Sequence, residues 1–299
     1  MPSQPAQAPS RQREGFLFAL SAYLFWGFAP LYFVAMEGIS AFEIIIHRTL
    51  WSFVFLGLWI HFTCRWGRVR EIFANRTKFI ACLITGPVVA LNWLIFIFAV
   101  EWGRISDASL GYFLNPLVVI VAGMFIFGEK LTIHQVIAVG LAAIGVGFLT
   151  VVSGVLPYIA LSLAVTFTIY GVLRKKFEIP PTAGLWVETL ILLPFAAIAL
   201  GLSDFTMPQG ASFGTTVRST LLLIGIGIIT VLPLVWYNSA LRLIAYKYMG
   251  FMQFIGPTIM FALAIFLLGE PLDTDKLIAF SLIWSGLAVF VFGLARGRG

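Results

Sequence analysis

The chain has 299 residues, 60% of them hydrophobic and only 11% charged, with a mean hydropathy of +0.99 and a formal net charge of +6. Soluble domains are about 45–50% apolar and about 25% charged, so this composition excludes a cytosolic enzyme, a disordered chain and a secreted disulfide scaffold. A membrane span takes roughly 20 apolar residues, which leaves room for ten spans joined by short loops, the make-up of a polytopic membrane protein.

In chain order, a polar stretch MPSQPAQAPSRQRE opens the sequence. It reads as a disordered tail over residues 1–15, and no small-residue cleavage site follows it, so no signal peptide is expected. Ten apolar segments come next, at 16–36, 41–63, 78–100, 107–127, 132–153, 155–173, 182–202, 217–241, 247–269 and 275–294. Helix is forced on them, because backbone exposed to lipid must satisfy its own N–H and C=O groups. A barrel strand would alternate apolar and polar residues over about ten positions, whereas these segments are apolar on all sides. Lys and Arg fall fifteen to three in alternate loops, with Arg48 left inside a segment. The asymmetry predicts that both termini are cytoplasmic. It also accounts for the positive charge without a nucleic-acid partner.

The sequence repeats itself at a single offset. Pro116 and Pro257, Gly128-Glu129 and Gly269-Glu270, Leu131 and Leu272, Gly145 and Gly286, and Ala99 and Ala240 are each 141 positions apart. The reading is two five-helix halves, 16–153 and 154–299. An odd number of spans makes the second half enter from the opposite side, giving inverted repeats about an axis in the membrane plane, the plan of many secondary transporters.

Polar groups inside spans are costly and mark candidate sites. Glu43 and His47 are four residues apart on one helix face. Arg48 lies about 10 Å below the external surface at 1.5 Å per residue. A histidine changes charge near neutral pH, so Glu43, His47 and Arg48 are candidates for a gate or a proton-coupling group. Glu188, about 10 Å from the inner surface by the same spacing, joins them as an opposite-end counterpart, too far in depth to pair with Arg48. Asn92, Trp93, Tyr112, Asn115, Trp236, Tyr237, Asn238 and Gln253 fall near mid-depth. They are candidates for lining a cavity in which amides, hydroxyls and aromatic faces hold a small organic molecule. The bland alternative is interhelical hydrogen bonding. Pro116 and Pro257 each free a carbonyl one turn back and are hinge candidates, while Gly128 and Gly269 read as helix C-caps.

Two cysteines, Cys64 and Cys82, supply neither a disulfide framework nor a zinc site. No metal or cofactor is expected: Walker A and H-E-x-x-H motifs are missing from the sequence, and the spans contain no G-x-S-x-G elbow. The expected partners are a small-molecule solute and membrane lipid, and one chain has enough helices to enclose a pathway as a monomer.

The segments EIIIHRTLWS (Glu43 to Ser52), NWLIF (Asn92 to Phe96), ASLGYFLNPL (Ala108 to Leu117), YGVLRKK (Tyr170 to Lys176), VETLILLP (Val187 to Pro194) and MGFMQFIGPTIMF (Met249 to Phe261) are long and distinctive. Together they make the chain resemble the EamA branch of the drug/metabolite transporter superfamily, from about residue 15 onward. The resemblance implies a central cavity between two inverted repeats and export of small metabolites or drugs across a bacterial inner membrane. Amino acids are the leading solute. Proton-coupled efflux of lipophilic or cationic drugs is the alternative within the class, and a non-transporting membrane enzyme or sensor subunit is the alternative outside it.

Overall fold

The computed structural model describes residues 9–101, 105–154, 158–202, 207, 210–267 and 274–296, with side chains at 9, 97, 99–101, 105–112, 153, 264 and 276 also outside the description. Among the described residues every regular element is a helix: α1 (Pro9–Ala35), α2 (Ala41–Phe62), α3 (Trp66–Ala74), α4 (Arg76–Glu101), α5 (Ile105–Phe127), α6 (Ile133–Ser153), α7 (Tyr158–Lys176), α8 (Pro181–Gly201), α9 (Val217–Leu243), α10 (Tyr246–Gln253), α11 (Ile255–Phe266) and α12 (Thr274–Arg296). Eight of these are long and apolar enough to cross a membrane, and Phe113–Phe127 of α5 adds a shorter apolar stretch.

Helix α1 begins at Pro9, inside the stretch read as a polar tail. Proline suits the first turn, where its missing N–H would have no partner anyway. The segment expected at 247–269 is broken: α10 and α11 meet at Phe254, and Pro257 follows three residues later. Its repeat counterpart Pro116 lies inside an unbroken α5. The basic stretch between the second and third segments also holds a helix, α3. Val69 and Ile72 are buried among Ile60, Ala81, Cys82, Ile179, Ala183 and Val187, and Trp66 meets Trp186 edge-on at 5.3 Å. The spacing 66, 69, 72 is a helical stripe.

Helices α7 and α9 occupy the centre. In the most apolar window of each, 50% and 44% of residues are buried, against 22–39% in the other spans. The packing partners of α1–α6 and of α7–α12 come in corresponding sets. Helix α1 packs on α9 as α7 packs on α4, α2 packs on α9 as α8 packs on α4, and α1 packs on α11 as α7 packs on α5. Pairs α2–α8 and α6–α12 map onto themselves. The α6–α12 crossing shows this atom by atom. A Cβ on Gly145 would stand 2.8 Å from the Ala279 carbonyl and 3.4 Å from Leu282 Cβ, and one on Gly286 would stand 2.8 Å from the Ala138 carbonyl and 3.4 Å from Leu141 Cβ. The three pairs 138/279, 141/282 and 145/286 all keep the 141-residue offset. Small residues at such crossings let backbones approach and pack where lipid gives no hydrophobic drive.

Candidate functional site

The largest polar cluster in the described interior is built around α7. Its last two turns carry Tyr170 and Arg174, both fully or almost fully buried. Arg174 forms an ion pair with Glu188 of α8 at 3.1 Å, each side chain only 1% exposed. The guanidinium also donates from Nε to Asn238 Oδ1 (3.0 Å) and from Nη2 to the Pro181 carbonyl (2.9 Å). Glu188 accepts from Thr85 Oγ1 of α4 at 2.6 Å and from the Tyr170 hydroxyl at 3.4 Å. Asn238 Nδ2 donates to that same hydroxyl at 2.8 Å. A buried charge is tolerated when it is paired and its remaining hydrogen-bonding capacity is met, and here Arg174 and Glu188 each serve three partners. Glycine at 184 makes the room, since a Cβ there would overlap Arg174 Nη1 and Ile179.

Directly against this network lies an aromatic cluster. Tyr237 is buried, with ring centroids 5.1 Å from Phe167, 5.7 Å from Trp26, 6.3 Å from Tyr23 and 6.4 Å from Tyr170. Two cavity candidates, Tyr237 and Asn238, are therefore brought together with a gate candidate, Glu188. Arg174 was missed by the sequence reading, which counted it with the basic loop residues; its place inside the turn-spaced set Thr166, Tyr170, Arg174 is the signal that marks it.

The remaining candidates are distributed over separate contacts. Asn92 Nδ2 donates to the Leu163 carbonyl and to Thr166 Oγ1, both at 2.8 Å, and Asn115 Oδ1 accepts from Thr168 Oγ1 at 3.4 Å. Both amides thus bind α4 and α5 to the central α7. The Arg48 guanidinium sits 3.8 Å over the Trp93 ring, joining a gate candidate to a cavity candidate through a cation–π contact. Trp236 meets Phe25 edge-on at 5.9 Å. Gln253 is buried at the end of α10, and its Oε1 has no partner among the described residues. Tyr112 falls on α5, but its side chain lies outside the described residues.

Glu43 and His47 share a task at the far end of the molecule. The buried Glu43 carboxylate accepts the Ser212 N–H (2.8 and 2.9 Å to its two oxygens) and the Phe213 N–H (2.8 Å). His47 stacks on the Phe213 ring at 4.5 Å and accepts at Nδ1 from Trp51 Nε1 at 3.2 Å. One helix face of α2 thus fastens the loop that leads into α9. Two surface recesses, one beside Phe55, Trp59 and Leu232 and one beside Val34, Ile39 and Leu222, are lined by none of the candidates. Among the described residues, no three His, Cys, Asp or Glu side chains gather to hold a metal ion.

Eight apolar helices of spanning length around a buried charge network define a multi-pass membrane protein. Comparison with known proteins specifies the class. Residues 13–151 match the EamA-like transporter family. An uncharacterized transporter of Vibrio cholerae is 44% identical over 96% of this chain and 95% of its own length. Protein RarD of Salmonella typhimurium is 41% identical over 93% of this chain and 95% of its own. A solved crystal structure overlays with a TM-score of 0.71, covering 94% of this chain and 98% of the other at 19% identity, a likeness of fold. The chain belongs to the EamA-like transporter family, and is a membrane transporter.

Proposed function

We propose that the chain exports small metabolites, amino acids first among them, across a bacterial inner membrane, by alternating access between two inverted five-helix halves with both termini cytoplasmic. The observation that carries this reading is the α6–α12 crossing, where Ala138, Leu141 and Gly145 meet Ala279, Leu282 and Gly286 with roles exchanged. A contact whose two sides are equivalent implies a local two-fold relation. An odd number of spans per half turns that relation into inversion, and inversion supplies two similar arrangements, one open to each face. The exchange-related packing of α1, α2, α4, α7, α8 and α9 supports the same plan.

On this reading Arg174, Glu188, Asn238 and Thr85 close the end where the basic residues collect, since Thr85 belongs to the first half and the other three to the second. Arg48 on Trp93, with Trp236 and Gln253, faces the solute, and Pro116 and Pro257 are the hinges. The test is uptake into liposomes holding the purified protein, with a panel of labelled amino acids, with and without an imposed pH gradient. Saturable flux supports export of amino acids. Flux that needs the gradient makes Glu188 and His47 the first groups to substitute, and no flux across the panel overturns the amino-acid assignment in favour of drug efflux.

A further inference from the structure

The Gly-Glu pair that ends α5 does more than terminate a helix. Gly128 has φ +65, the left-handed region that glycine enters without strain. This turn directs the Glu129 N–H to the Gly123 carbonyl at 3.1 Å. The Glu129 side chain then crosses to the other half. Its carboxylate accepts the Tyr246 N–H at 2.6 Å and the Lys247 N–H at 2.7 Å, the first two amides of α10. On the adjoining end of α9, Lys175 Nζ donates to the Leu241 carbonyl at 2.8 Å and the Ile244 carbonyl at 2.7 Å. The α9–α10 corner is therefore held from both sides with the charge each helix end favours, a cation on the carbonyls and an anion on the amides. Lys247 adds a return tie through Nζ to Gln135 Oε1 at 3.2 Å and to the Lys130 carbonyl.

These two grips differ in what they join. Lys175 and α9 belong to the same half. Glu129 belongs to the other half, so its two short amide contacts are a tie across the boundary that alternating access has to open. Space for the tie is specific: a Cβ on Gly123 would stand 2.9 Å from Glu129 Oε2 and 3.2 Å from the Lys247 N–H nitrogen.

We infer that Glu129 is a positioning residue for transport, the releasable latch that holds the α9–α10 corner of the second half against the α5–α6 turn of the first and so sets how often the basic end opens. The inference rests on the alternating-access reading. The tie is made by the Glu129 carboxylate on backbone amides, with the Lys247 ammonium on Gln135 and the Lys130 carbonyl beside it, so release parts side-chain contacts and leaves the backbone of both helices in place. Lys175 keeps the α9 end capped throughout, so the corner moves as a unit.

The test uses the full-length chain with Cys64 and Cys82 replaced by Ala and a single reporter cysteine. One reporter replaces buried Ala122, two turns before the latch, and the other replaces buried Leu223 in the first turns of α9 at the far end. A hydrophilic maleimide is added to the purified protein in detergent, where both ends of the chain meet the reagent. Glu129→Gln is expected to speed labelling at 122 about tenfold, the equilibrium change that losing one hydrogen bond to a charged group brings, with the rate at 223 unchanged. Gly123→Ala, which keeps the carboxylate but crowds it, is expected to move 122 in the same direction. Unchanged labelling at 122 in both variants overturns the latch, and so does a parallel rise at 122 and 223, which is loosening of the whole fold. Liposome flux of the unsubstituted protein separates the two levels. No flux for any solute of the panel or for drug-like cations removes the transport reading, whereas flux with unchanged labelling removes the latch alone.

Discussion

Glu188 lies 141 positions after His47, the same offset that relates the Gly-Glu pairs, yet the two ends of the molecule treat these positions in opposite ways. At one end Glu188 is clasped by side chains from α4 and α7, with Arg174 bridging onward to α9. At the other, the neighbouring carboxylate Glu43 is satisfied by backbone amides of a loop, and His47 only packs against that loop. A network of side chains on four helices comes apart only if the helices move. A carboxylate on loop amides can let go while the helices stay. Positions related by the 141-residue offset thus carry different chemistry, and on the proposed alternating-access reading the two ends are expected to open with different barriers.

The largest effect that separates the ends is Arg174→Ala. It leaves Glu188 buried without its counter-ion, which is expected to cost about 3–5 kcal/mol, read as a fall in the thermal midpoint in detergent. Replacing both members with methionine is expected to recover most of that loss, because an apolar pair carries no desolvation penalty. Full additivity of the single losses would break the comparison. Next comes Gly184→Ala, whose methyl displaces the Arg174 guanidinium; overpacking of this kind costs about 1–3 kcal/mol, and the same midpoint measures it. At the opposite end, Glu43→Gln weakens bonds to a charged acceptor worth about 1.5–3 kcal/mol. Here the expected signature is local: faster hydrogen exchange at the 212 and 213 amides with the helical amides of α7 and α8 unaffected.

The smallest effect belongs to α3, outside the spans. Hydrogen bonds from Lys78 and Arg68 hold the Glu71 carboxyl below the usual carboxylate range. The stabilisation is present at neutral pH and is lost as pH falls through that lowered value, because the unfolded chain takes up the proton first. Exposed pairs of this kind contribute at most about 1 kcal/mol, so Glu71→Gln is expected to flatten the acid side of the stability profile only slightly, and salt to erase the difference.

The fold class was legible because lipid leaves so few options: apolar segments of spanning length have to be helices. What the hydropathy pattern could not contain was the interruption at Phe254: α10 is less apolar than the helices around it, but Phe254 and Ile255 at the break are themselves apolar and only the backbone records it. Helix α3 was hidden for the opposite reason, its three-residue stripe being short and embedded among arginines. Glu188 and Asn238 were visible as polar groups in apolar company, and Arg174 and Tyr170 join them. Arg174 was read as a topology signal, as a basic residue near a span end ordinarily is, and its four-residue spacing from Thr166 and Tyr170 was the only local sign that it turns inward. Likewise the i, i+4 spacing correctly put Glu43 and His47 on one face, but no local pattern names a loop 169 residues away as what that face holds.

The α6–α12 crossing has one more consequence. A surface made of Ala138, Leu141 and Gly145 that packs on Ala279, Leu282 and Gly286 is complementary to its own likeness. Such a surface needs no second invention: a single half-length chain bearing it would already recognise another copy of itself laid across it. Fusion of two such chains would then add covalent continuity to an association that its own geometry had made, leaving later substitutions, such as histidine at 47 against glutamate at 188, free to make the two ends unlike.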